Sequence, residues 1–380
     1  MTSYRLRKES SSETTDSCAI GEGGRLTVRL REAMATLPGY VPGRAVPGAI
    51  KLASNETPLP PLPYVVDCIA RAAQTANRYP DNWSRELSEA LATRHGVDPA
   101  QVVVGCGSVS LCYQLGAAVA QPGDEVLYAW RAFEAYPIVT AISGAEPVAV
   151  PLREHVHDLE AMAAQLSDRT RLVFVCNPNN PTSTAVHRDE LVGFLSAVPE
   201  DVVVVIDEAY HEFVTDARVP DALTLLDDYP NLIVLRTFSK AYGLAGLRVG
   251  YGISGNTEVP AALRQTQSPF AVTALAQQAA LASLEPEAES QLMARVKDVV
   301  IERERVTAEL VAMGYDVPPT QANFVWVPMG ADTMAWADGC AQRKVIVRPF
   351  HGFGSRVTIG TPSENDTFLA AARELAPALN

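Results

Sequence analysis

The feature that most constrains the fold is a series of short, continuous apolar runs at residues 102–104, 125–128, 171–176, 202–206 and 232–236. Helical periodicities lie among them at 63–76, 86–95 and 109–120. Apolar runs of this kind, separated by helices, mark strands buried on both faces of a parallel sheet. The fold class expected is therefore α/β. From about residue 286 the pattern changes. A long charged helix at 289–313 precedes short strands at 324–327, 345–348 and 357–360, which reads as a second, α+β domain. The chain has 380 residues, more than the roughly 250–300 that one core usually serves.

Residues 1–24 are polar and rich in Ser, Thr and Glu, and are expected to form a disordered leader. An amphipathic pattern (Leu26, Val28, Leu30, Met34) then runs to Pro38-Gly39. The segment after it carries too many prolines for a helix and reads as an extended arm. A formal charge of −13 argues against nucleic acid or an anionic membrane as partner. No uninterrupted apolar stretch reaches the length of about 18 residues that a membrane-spanning helix needs. Cys18, Cys68, Cys106, Cys112, Cys176 and Cys340 show neither a CxxC pair nor metal-ligand spacing, and read as reduced thiols of a cytoplasmic protein. His155 and His157 read as solvated, and no metal site is expected.

In open α/β sheets, ligands bind beyond the carboxyl ends of the strands. After 102–104 comes Gly105-Cys106-Gly107-Ser108, opening a helix whose backbone N–H groups suit a phosphate. An ordinary tight turn would use the same residues, and Ser110 breaks a dinucleotide fingerprint. After 171–176 comes Asn177-Pro178-Asn179-Asn180-Pro181-Thr182, where the prolines restrain the backbone and Asn180 can donate to a ligand oxygen, or simply build a turn. After 202–206, Asp207 ends a strand of four valines and needs a cationic or N–H partner, unless it caps a helix. After 232–236 come Ser239 and Lys240, then Arg248. A lysine between an apolar strand and a Gly-rich loop loses hydration, and its lowered pKa makes it a nucleophile toward aldehydes. Together these groups suit a ligand with a phosphate, a ring nitrogen, a phenolic oxygen and an aldehyde. Pyridoxal 5′-phosphate has all four.

KLASNETP, RYPD, GCGS, CNPNNPT, VIDEAY, FSKAYGLAGLRVGY, ANFVW and RVTIGTPSEND occur in that order over about residues 25–378. In this the chain resembles the fold-type I pyridoxal-phosphate aminotransferases, and among them the histidinol-phosphate aminotransferase group. WRAFEAYP and the ending of NPNNPTSTA look closest to the actinobacterial aromatic amino-acid (phenylalanine) aminotransferases. The resemblance implies a large cofactor domain at 60–285 around a mostly parallel, seven-stranded sheet. It implies a smaller α+β domain assembled from 25–59 and 286–380, and a homodimer.

Carried onto this sequence, the family pattern makes Lys240 the residue that bonds the cofactor aldehyde and moves the substrate proton. Asp207 would face the ring nitrogen, and Asn180 and Tyr210 the phenolic oxygen. Gly107, Ser108, Ser239 and Arg248 would hold the phosphate, with Tyr79 reaching it from the other subunit. Phe133 would stack on the ring. Arg356 would bind the substrate α-carboxylate, Arg348 a second anion, and Asn55 and Tyr40 would line the substrate pocket. Leu59 and Ser183 depart from the common pattern and bear on substrate choice. The implied reaction is a ping-pong transfer between aromatic amino acids and 2-oxoglutarate. Histidinol-phosphate amination is the alternative, and a non-catalytic regulator of the same fold a remote one.

Overall fold

The apolar runs form the centre of a seven-stranded sheet in the computed structural model, which describes Arg31, Leu37 and residues 46–376. The strands are β1 (Ile50–Lys51), β2 (Val102–Gly105), β3 (Glu125–Trp130), β4 (Glu146–Pro151), β5 (Thr170–Cys176), β6 (Val203–Asp207), β7 (Leu232–Thr237), β8 (Gly250–Ser254), β9 (Phe324–Pro328), β10 (Val345–Ile346), β11 (Arg348–Phe350) and β12 (Gly354–Thr358). The large sheet has the order β2-β8-β7-β6-β5-β3-β4. Its β4-β3-β5-β6-β7 portion is parallel, while β8 lies antiparallel between β7 and β2.

Alternate residues of one strand enter opposite layers. Val204 and Ile206 pack with Leu87, Leu91 and Val173 on one face, whereas Val205 packs with Leu111, Leu115 and Phe174 on the other. This double burial is why the runs show no polar alternation. Each such side chain contributes about 1.5–3 kcal/mol relative to exposure.

Two strands left no clear signal. β4 carries Pro147 and Pro151, which an edge strand tolerates because one side needs no ladder partner. β8 contains two glycines, and a Cβ on Gly250 would strike the backbone of Gly107 and Ser108. The strand expected at 345–348 is two strands: β10 pairs with β1, and β11 joins an antiparallel β11-β12-β9 sheet. That sheet packs with the helices Pro286–Ala312, Thr333–Gln342 and Pro362–Glu374 through Val306, Leu310, Trp336 and Phe368. The described residues from Val46 onward belong to one compact unit. The expected leader, the amphipathic pattern ending at Met34, Cys18 and Tyr40 lie outside the described residues.

Candidate active site

The carboxyl ends of β2, β3, β5, β6 and β7 share one edge of the large sheet, and the antiparallel β8 brings its amino end, just after Arg248, to the same edge. A cavity of about 610 Å³ opens there. Ser108, Phe133, Asn180, Asp207, Tyr210, Ser239, Lys240 and Arg248 line it from that edge. Asn55, Arg348 and Arg356 line it from the β1 segment and the small sheet.

Asp207 ends β6 rather than capping a helix, and is buried. Burial pushes its carboxyl up to about 6, while the Tyr136 hydroxyl bond and the nearby Ala209 N–H dipole favour the anion. Tyr136 donates to Asp207 Oδ2 at 3.0 Å, while Oδ1 is buried without a partner. A buried carboxylate oxygen with no donor is costly, and a protonated ring nitrogen is the group that would satisfy it.

Lys240 follows β7, and its Nζ donates to the Ser54 carbonyl at 3.3 Å. Burial lowers its pKa to about 7; Arg356 and Arg248 reinforce the effect and Glu56 and Asp207 oppose it. A substantial fraction of its amine is therefore neutral and nucleophilic near neutral pH. Tyr210 Oη accepts from Asn55 Nδ2 at 2.9 Å, and its ring meets Phe324 edge-on at 5.0 Å. Asn55 is held at φ 55° by bonds to Thr358. Arg356 Nη1 donates to Asn180 Oδ1 at 2.6 Å and Nη2 to the Ala53 carbonyl at 2.7 Å.

The remaining residues form an anion cradle. Gly107 has φ +75°, and a Cβ there would run into the Arg248 guanidinium. It precedes the helix Ser108–Val119, whose first N–H groups and positive end suit a phosphate. Arg248 Nη1 donates to Ser239 Oγ at 3.3 Å and to the Ala245 carbonyl at 3.0 Å. The orphaned Asp207 oxygen, the depressed lysine and this cradle fit pyridoxal phosphate at its ring nitrogen, aldehyde and phosphate.

Not every expected residue meets the cavity. Tyr79 is 81% exposed, stacked on Phe270 at 4.4 Å, and does not line it. Neither Leu59 nor Ser183 lines it. Ser183 is buried at φ 63°, and its hydroxyl accepts from Gln321 and Ala322, tying the Asn-Pro turn to the segment before β9. His157 is buried rather than solvated, and Nε2 meets Asn179 Oδ1 at 3.0 Å. Among the described residues, the one cluster with metal-ligand spacing is Glu208, His211 and Asp221, but the Arg236 guanidinium already bridges both its carboxylates at 2.7 and 2.6 Å.

Sequence reasoning gave no role to Glu134 or Tyr136. Both follow β3, and the rule that ligands sit beyond the carboxyl ends of strands leads there to Arg131-Ala132-Phe133-Glu134.

The chain matches the Aminotransferase class I and II family over residues 47–371. It is 57% identical over 348 residues to an aromatic amino acid aminotransferase of Thermobifida fusca, covering 90% of this chain and 96% of that one. It is 53% identical over 353 residues to an enzyme of the same name from Mycolicibacterium smegmatis, covering 93% and 97%. Among solved structures, the histidinol-phosphate aminotransferase of Sinorhizobium meliloti, in complex with pyridoxal-5′-phosphate, superposes with a TM-score of 0.83 at 28% identity, covering 93% of this chain and 98% of that one. With a cavity whose lysine, carboxylate and arginines suit amino transfer, the chain belongs to the class I and II aminotransferase family.

Proposed function

We propose that this enzyme uses pyridoxal 5′-phosphate to move amino groups between aromatic amino acids and 2-oxoglutarate, in two half-reactions of a ping-pong cycle. The observation that carries this reading is the meeting of Lys240, the unpartnered Asp207 Oδ1 and Arg356 in one cavity. The aromatic preference rests on the relatives at 53–57% identity. When bound, the cofactor supplies an aldehyde and a protonated ring that takes up the electrons released at the substrate α-carbon.

In this reading Lys240 would hold the cofactor through its aldehyde, with loss of water, and once the substrate amine had displaced it Nζ would carry the proton from the α-carbon. Asp207 keeps the ring nitrogen protonated, with Tyr136 holding the carboxylate. Asn180 and Tyr210 contact the phenolic oxygen. Gly107, Ser108, Ser239 and Arg248 retain the phosphate, and Phe133 covers the ring. Arg356 grips the α-carboxylate, where the planar guanidinium presents two parallel donors. Val109, Tyr113 and Ile138 line the same cavity and give it apolar surface. The enzyme is read as a cytoplasmic homodimer with a large domain at 60–285 and a small one from 25–59 and 286–380. Tyr79 serves the partner's phosphate site, which agrees with its exposure.

Purified protein given the cofactor should acquire a visible absorption band and aminate phenylpyruvate with glutamate. Lys240→Ala should abolish both the band and steady turnover. A variant that still turns over would overturn the assignment. A higher kcat/KM for imidazole acetol phosphate than for phenylpyruvate would favour the histidinol-phosphate reading.

A further inference from the structure

Arg348 and Arg356 are directly opposed in the β11–β12 ladder, so their side chains leave the same face toward one cavity. A substrate held at Arg356 therefore has Arg348 as its neighbour. Arg348 Nη2 meets Glu134 Oε2 at 3.0 Å, with the arginine side chain 16% and the glutamate 37% exposed. Glu134 lies at the start of the helix Ala135–Ser143, yet its carboxylate makes no cap bond to that helix. The Arg131 guanidinium, outside the cavity lining, lies 4.4 Å over Trp130 and 4.9 Å over Phe353, and it faces the same Phe350 ring as Arg348, at 5.7 and 5.8 Å.

The proposed function requires one pocket to accept an aromatic ring in one half-reaction and a carboxylate-bearing chain in the other. An aromatic ring set against an uncompensated guanidinium strips hydration from a full charge, a cost that a cation–π contact offsets only in part. Against a closed Arg–Glu pair that penalty is smaller. A side-chain carboxylate, by contrast, needs the guanidinium itself.

We propose that Glu134 is the specificity-determining residue that makes both possible: it neutralises Arg348 while an aromatic side chain is bound, and gives way when a side-chain carboxylate or phosphate takes its place on Arg348. The exchange is cheap because Glu134 is partly solvated and turns to water when displaced. Partly exposed pairs contribute about 1 kcal/mol or less, so displacement weakens an anionic substrate by no more than about fivefold.

This inference rests on the proposed transamination, and the experiment separates the two. Wild-type, Glu134→Gln and Glu134→Asp holoenzymes are compared for kcat/KM with 2-oxoglutarate and with phenylpyruvate. Binding of the unreactive glutarate and 3-phenylpropionate is measured by calorimetry. With Glu134→Gln, glutarate should bind more tightly, by up to about fivefold, and 3-phenylpropionate more weakly. The ratio of the two kcat/KM values should move the same way, and Glu134→Asp should lie between. Equal changes for both ligands, or none, would overturn the role of Glu134 while leaving the transaminase intact. If Glu134→Gln does not fold, the Glu134→Asp comparison decides on the same criterion. A wild-type enzyme inert toward both keto acids would instead overturn the functional reading, and this inference with it.

Discussion

Tyr136→Phe removes a single hydroxyl beneath the site and leaves the ring where it packs. That ring is fully buried and stacked on Phe174 at 4.4 Å and 11°, so phenylalanine retains the shape. The lost bond is the 3.0 Å donation to Asp207 Oδ2. A hydrogen bond to a charged group contributes about 1.5–3 kcal/mol, and each 1.4 kcal/mol is about tenfold in proton affinity. The Asp207 carboxyl, already near 6 through burial, should therefore rise to roughly 7–8. At pH 7 the ionised fraction would fall from about nine-tenths to between about a half and a tenth. If Asp207 anchors the ring nitrogen as an anion, the cofactor dissociation constant should rise about two- to tenfold at pH 7 and recover toward pH 9. Titrating cofactor into wild type and variant between about pH 6 and 9 measures this.

The cofactor-free protein offers a second check with a definite sign. A folded-state pKa above the ordinary 3.8 means that the protonated carboxyl stabilises the fold. That contribution is complete below about 3.8 and is lost as pH rises through about 6. Tyr136→Phe should prolong the decline to higher pH. A cofactor affinity unchanged at every pH, or weakened equally at all of them, would refute the electrostatic role of Tyr136.

Other perturbations probe neighbouring parts of the site. Gly107→Ala forces a side chain into a left-handed backbone and against the Arg248 guanidinium, so cofactor affinity in a binding titration should fall by about tenfold or more. Arg356→Gln removes the larger of the two cations that depress Lys240. The pH at which the lysine reacts with an aldehyde probe should therefore move upward from about 7, and an unchanged profile would contradict the stated cause. Arg236→Gln strands the buried Glu208 carboxylate beside Asp221; denaturant unfolding should show a loss of about 3–5 kcal/mol.

The residues legible in the sequence share a local cause. Gly107, Asn180, Asp207 and Lys240 each lie within four residues of the end of an apolar run, so the strand end that presents them is visible in the chain itself. Arg356, Asn55 and the pair of Glu134 with Arg348 have no such signature. Their meeting depends on the β11–β12 register and on contacts between residues as distant in sequence as Asn55 and Thr358. Glu134 also reads locally as an ordinary acidic residue at a helix start. In β8, Gly250 lets the backbone approach Ser108 and Gly252 leaves room for Leu235 and Ile233, and the same two residues erase the strand pattern.

If Arg348 and Arg356 each hold a substrate anion, their pairing in the β11–β12 ladder makes a backbone register into a gauge for substrates. The spacing of the two Cα atoms is set by hydrogen bonds between strands, while Glu134, Asn180 and the Ala53 carbonyl position the guanidinium groups that extend from them. Two anions on one ligand are then sorted by the length of chain between them. The same arrangement forbids gradual adjustment: inserting one residue into β11 would turn Arg348 to the opposite face. Evolution of a new substrate length on this scaffold must therefore come from loops and from Glu134, because the ladder admits only all or nothing.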